Sequence, residues 1–102
     1  MVYRLALGAR NDLDAIWDYV AREARDEGPA DGLIHAIPER LWLLVEHPRI
    51  GRVRDDLGVG LRSFPVGSHV IVYEVNGSDV SIPRIIHGRH GFDSAADLWS
   101  RA

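Results

Sequence analysis

Between Gly60 and His90 the chain reads GLRSFPVGSHVIVYEVNGSDVSIPRIIHGRH, and no other stretch constrains the fold as strongly. Two apolar, β-branched runs, His69 to Val75 and Val80 to Ile86, flank Asn76-Gly77-Ser78-Asp79. Asn-Gly between such runs predicts a β-hairpin, because both residues tolerate the positive φ of tight hairpin turns. Pro65 and Gly67 close the preceding segment, Gly60 to Val66, and predict a second reversal, hence a three-stranded antiparallel meander. Both alternating sets of the middle strand are apolar, with Ile71, Tyr73 and Val75 on one side and Val70 and Val72 on the other. A strand patterned this way is central and covered on both faces.

Upstream, Val2 to Leu7 alternates as a first short strand, with Tyr3, Leu5 and Leu7 on one side. From about Ala9 the period changes to that of a helix, with Leu13, Ile16, Trp17, Val20 and Ala24 as its apolar stripe. Acidic residues early in this helix and Arg22 and Arg25 late in it suit the macrodipole. Gly28-Pro29 ends it and starts a second helix, which carries Leu33, Ile34, Ile37, Leu41, Leu44 and Val45 and stops before His47-Pro48. The two form an αα-hairpin able to cover one face of the sheet. Pro38 removes an amide donor inside the second helix and predicts a kink or break near Ile37. Arg49 to Leu57 reads as an irregular bridge, and Ser94 to Trp99 as a short C-terminal helical turn. The fold class is therefore α+β, in one domain spanning residues 1–102.

The formal net charge of −3 argues against a general nucleic-acid binder. With no cysteine there are no disulfides, thiolate metal sites or Cys nucleophiles, which fits a reducing cytoplasm. No segment approaches a membrane span. All twelve cationic side chains are arginine, whose planar fork suits carboxylates and phosphates.

Arg62, Arg84, His87, Arg89 and His90 gather at the ends of the predicted meander. The arginines either converge as an anion site or stand solvated beside Asp55, Asp56 or Glu74. His87 and His90 have a spacing that can serve one metal ion, but no carboxylate accompanies them in a forced geometry, and neither a metal nor a cofactor is expected. Tyr19 and Trp42 each lie about 120° from the centre of their helix's apolar stripe, where an aromatic side chain is an edge residue or a partner anchor. No nucleophile elbow or phosphate loop is present.

Taken together, Tyr3-Arg4-Leu5, Ala9 with Asp12-Leu13 and Ile16-Trp17-Asp18-Tyr19, Pro48-Arg49-Ile50-Gly51-Arg52, Leu61-Arg62-Ser63-Phe64, Val70-Ile71-Val72-Tyr73 and Ile86-His87-Gly88-Arg89 resemble the RelE/ParE superfamily of bacterial toxins, the ParE branch most closely. The resemblance implies a helical hairpin packed on an antiparallel sheet, and a co-expressed antitoxin whose C-terminal segment wraps the toxin and which alone reaches DNA. RelE-like members cleave messenger RNA on the ribosome, whereas ParE-like members inhibit DNA gyrase and trap its cleaved complex. Where the cleaving branch has lysines this chain has Gly58 and Gly60; its sheet arginine falls at Val70 and its tyrosine near Ala96. Only Arg62, Arg89 and His90 are left to support in-line attack, so the resemblance implies a non-enzymatic gyrase inhibitor, with messenger RNA cleavage or a degenerate, non-toxic binding module as alternatives. Arg62, Arg84, His87, Arg89, His90, Tyr19 and Trp42 are then contacts for target or antitoxin. Ala6 in place of a hydroxyl cap, Pro38, and Pro83 within a strand depart from the family pattern; Pro83 calls for an edge, a bulge or an unpaired position.

Overall fold

The structure is a computed structural model that describes residues 1–22 and 29–87. The order is β1 (Tyr3–Leu5), α1 (Leu7–Arg22), α2 (Pro29–Glu46), β2 (Arg52–Val53), β3 (Leu61–Val66), β4 (His69–Asn76) and β5 (Asp79–His87). The strands form one five-stranded mixed sheet in the order β1-β5-β4-β3-β2. The antiparallel β3-β4-β5 meander is its centre. Two strands extend it beyond the predicted three: β2, drawn from the segment expected to be irregular, pairs antiparallel with β3, and β1 pairs parallel with β5. The expected C-terminal helical turn lies outside the described residues.

Both hairpins close through Gly-Ser. Val66 pairs with His69 and Asn76 with Asp79, so Gly67-Ser68 and Gly77-Ser78 are the two-residue loops. Gly67 (φ 58°) and Gly77 (φ 61°) take positive φ and no other residue type does, the pattern of a type II′ turn. The second turn is thus centred one residue later than the Asn-Gly pair suggests.

Between Val72↔Arg84 and Glu74↔Ser81 the register slips by one residue, a β-bulge that adds a residue to β5. Pro83 sits in that bulge, where its missing amide removes no ladder bond. The bulge also resets the alternation: Val80 and Ile82 before it and Ile85 after it are all buried in the helix-side core.

That core joins Ala9 and Ile16 of α1 and Ile37, Leu41, Leu44 and Val45 of α2 to Val66, Ile71, Tyr73, Val80, Ile82 and Ile85 of the sheet. On the opposite face Leu57 folds over Leu61 and Val72, with Ile86 beside them, so the segment between β2 and β3 covers that face in part. Ile71, Val72 and Tyr73 are all fully buried, as expected of a strand covered on both sides. Val75, near the end of β4, is exposed instead.

Helix α1 begins two residues before the predicted start, at Leu7, with the Ala6 carbonyl accepting the first helical bond from the Arg10 amide at 3.0 Å. Its first turn consequently holds no acidic residue, and Asp12 is left for another task. The stripe is centred on Ala9, Leu13 and Ile16, which turns Trp17 outward. Helix α2 continues through Pro38 without the predicted break: Pro38 lies on the exposed side, while Ile37 and Leu41 hold the flanking turns in the core.

Candidate functional site

Among the described residues, three of the polar groups along β4 and β5 involve buried or half-buried side chains of the sheet's middle and far end. The first is a latch on the segment that leads out of α2. The fully buried Tyr73 hydroxyl donates to the Pro48 carbonyl at 2.8 Å and accepts the Gly51 amide at 2.8 Å. Arg62, paired with Tyr73 across β3 and β4, donates through Nη1 to the Gly51 carbonyl at 2.8 Å and the Arg49 carbonyl at 3.3 Å. Burial pushes the Tyr73 phenol above its ordinary value, against the smaller effects of the Gly51 amide and the Arg62 charge. Gly51 is required here, because a Cβ would enter the Tyr73 ring.

The second group closes the opposite side of the meander. Arg84, 5% exposed, forks onto Asp12 of α1, with Nε to Oδ2 at 2.8 Å and Nη2 to Oδ1 at 3.0 Å. Asp12 Oδ2 also accepts the Ile85 amide at 2.9 Å. Beyond Ile82 no β1 residue pairs with β5, so Asp12 supplies the acceptor that a neighbouring strand would otherwise offer. The Arg84 stem runs against Gly8, at which an added Cβ would come within 2.9 Å of its Cδ.

The third group is His69 and His87. They pair directly across β4 and β5, ring centroids 4.9 Å apart and planes at 69°. Burial and the adjacent His87 hold His69 below its ordinary value, while Asp12 acts in the opposite direction.

Of the described arginines in that reading, Arg62 and Arg84 neither converge on an anion nor pair with Asp55, Asp56 or Glu74. Arg62 binds carbonyls on the β3 side of β4, and Arg84 binds Asp12 on the β5 side. A buried, internally paired Arg84 shapes the edge rather than offering a free cation. Arg89 and His90 lie outside the described residues. Tyr19 and Trp42 are exposed, at 61% and 50%, and Trp42 meets Tyr3 edge-on at 5.0 Å between centroids. Beside that pair an open depression of about 510 Å³ is lined by Tyr3, Arg4, Leu5 and Arg10. Sequence reading missed Asp12, Tyr73 and His69 as polar anchors; the signal available was a tyrosine and a histidine within an otherwise apolar strand. Among the described residues no group of three or more His, Asp or Glu is placed to hold a metal ion, and no helix is long and apolar enough to cross a membrane.

Two helices on a five-stranded mixed sheet, tied together by the Tyr73 latch and the Arg84–Asp12 pair, define a small α+β protein. A solved structure with this fold, a chain of the chromosomal ParDE TA system from P. aeruginosa, matches 85% of this chain and 95% of its own at a TM-score of 0.65 and 25% identity. Residues 3–92 match the family described as ParE toxin of type II toxin-antitoxin system, parDE, and the chain belongs to that family. Among its relatives, Toxin ParE1 of Caulobacter vibrioides is 36% identical over 85 residues, 83% of this chain and 86% of the relative. Toxin ParE3 of the same organism is 38% identical over 78 residues, covering 76% and 77%. Toxin ParE1 of Mycobacterium tuberculosis is 30% identical over 93 residues, covering 89% and 93%.

Proposed function

We propose that this ParE toxin is a protein inhibitor of DNA gyrase that traps the cleaved DNA complex, performs no bond-making chemistry of its own, and is neutralised in the cytoplasm by a cognate antitoxin, its only route to DNA. The observation that carries this reading is the family match over residues 3–92 in a chain with Gly58, Gly60 and Val70 where the RNA-cleaving branch has its cations. The described arginines add support. Arg62 and Arg84 are committed to carbonyls and to Asp12, so neither is disposed to stabilise a pentavalent phosphate.

The contact surface in this reading comprises Tyr19 and Trp42 on the helices and Arg62 and His87 on the sheet, with Arg89 and His90 following β5 in sequence; Arg84 serves it from within by fixing the edge. Exposed aromatics are the side chains that give most at protein interfaces. Tyr19→Ala is accordingly expected to change stability by about 0.5 kcal/mol or less while weakening capture by antitoxin or gyrase several-fold in a binding titration. The deciding experiment is a supercoiling assay with purified gyrase. Inhibition with accumulated cleaved DNA is the expected result, and neither effect at excess toxin would overturn the reading.

A further inference from the structure

We propose that Asn76 and Gly77, at the turn of the β4–β5 hairpin, form a site of self-catalysed deamidation, through which the protein acquires a new carboxylate beside Asp79 and loosens its first strand with age. The inference stands apart from gyrase and antitoxin. Asn11 and Asn76 are the chain's two asparagines, and it has no glutamine. Their settings differ. Asn11 lies inside α1, where the following amide, that of Asp12, is bound to the carbonyl four residues back. Asn76 is exposed, ends β4 and is followed by Gly77, which has no Cβ to shield the main chain. The Gly77 amide has no hydrogen-bond acceptor among the described residues, so of the two amides it is the uncommitted one.

The reaction balances with water alone. The Gly77 nitrogen attacks Asn76 Cγ, and ammonia leaves from Cγ with the amide proton, closing a succinimide ring; adjacency in the chain makes the attack intramolecular. Water then opens the ring. Addition at Cγ gives aspartate, and addition at the Asn76 main-chain carbonyl carbon gives isoaspartate, whose backbone runs through Cβ and Cγ. Ring closure requires the Asn76 backbone to turn out of its extended strand conformation. The fold restrains that movement at two points, the Asn76–Asp79 pair and the bond from Asn76 Nδ2 to Ser81 Oγ at 2.8 Å. Both lie at the exposed end of the hairpin, where opening costs least, so local opening there sets the pace.

What the modification changes follows from its neighbours. Asp79 ties the first strand to the hairpin: its Oδ1 accepts the Val2 amide at 3.2 Å, and its Oδ2 lies 4.0 Å from Arg4 Nη2. Val2 in turn accepts the Val80 amide at 3.0 Å. An aspartate at position 76 faces Asp79 directly across the strand pair, and like charges so placed repel. Isoaspartate adds a main-chain carbon ahead of the turn and upsets the register that the two-residue loop sets. Either product weakens the hold on Val2 and with it the pairing of β1.

The test uses the full-length protein incubated at pH 7.5 for several weeks, with the urea-unfolded chain as the upper limit of rate. The tryptic peptide Ser63–Arg84 is expected to gain about 1 Da as the amide becomes an acid, partly in an isoaspartyl form that an isoaspartyl methyltransferase labels, while the peptide Asn11–Arg22 stays unchanged. Ser81→Ala should speed the gain several-fold in the folded protein and leave it unaltered in urea. No gain at Asn76 in the native protein, or a gain at Asn11 as fast as at Asn76, would overturn the site, and an unaltered rate in folded Ser81→Ala would overturn its gating. The consequence is read separately. In Asn76→Asp the Val80 amide should exchange with deuterium several-fold faster than in the wild type, and equal protection refutes the loosening of β1.

Discussion

The two sides of β4 solve the same problem with opposite chemistry. On the β3 side the sheet is tied to the segment after α2 by neutral hydrogen bonds, from the Tyr73 hydroxyl and the Gly51 amide, with Arg62 donating to carbonyls. On the β5 side it is tied to α1 by a buried ion pair, Arg84 with Asp12, which also holds the Ile85 amide. Neutral partners leave a modest debt when one is lost. An ion pair leaves a stranded charge, and desolvation makes that far more costly.

The largest expected effect follows from this difference. Asp12→Ala leaves Arg84 buried without its carboxylate and should lose about 3–5 kcal/mol in urea denaturation, enough to unfold much of a marginal domain. Replacing both partners by apolar residues, Asp12→Leu with Arg84→Met, should recover most of the loss. A double variant as unstable as the single would break the comparison.

Tyr73→Phe comes next. It keeps the ring in the core but leaves the Gly51 amide and the Pro48 carbonyl without the hydroxyl, for about 1–3 kcal/mol. A loss equal to that of Asp12→Ala would show that charge is irrelevant to the contrast. The smallest effect is a slope. His69 has a folded pKa below the ordinary 6.5, so the unfolded chain takes up protons first as pH falls. Stability is complete above that value and declines as pH drops through it towards the folded pKa. His69→Gln should flatten this part of the curve, and an unaltered slope would remove His69 as its source. The Tyr73 phenol has the reverse sign: raised in the folded state, it lets stability fall once pH passes about 10, where the unfolded chain ionises first. The β5 side thus weakens in acid and the β3 side in alkali.

Much of the sheet was legible because strand patterning is local: β3, β4 and β5 lie within a residue or so of the runs that announce them, and so does the burial of Ile71, Val72 and Tyr73. The exposed edges of the helices were legible too, since Tyr19 and Trp42 lie off their stripes by periodicity alone. The polar anchors were not. A turn centred on Asn76-Gly77 puts His69 opposite Arg84, whereas the Gly77-Ser78 turn and the bulge at Pro83 together carry it to His87. Small local choices accumulate into register, and register decides which side chains meet. Asp12 and Arg84 are separated by 72 positions, and Gly51 and Tyr73 by 22, so only the assembled fold brings them together. The sequence left two readings of the arginines, a convergent anion site or solvated side chains beside Asp55, Asp56 or Glu74. Arg84 follows neither, because a strand edge without a neighbour needs an acceptor, and its buried guanidinium holds that acceptor, Asp12, in place.

The Tyr73 latch has a consequence for how such a protein can diversify. It grips the Pro48–Gly51 segment through main-chain atoms and a glycine, and leaves the side chains of Arg49, Ile50 and, just beyond, Arg52 and Val53 exposed. Those four positions can be rewritten without disturbing the grip. The segment is a rigid printing plate with interchangeable type.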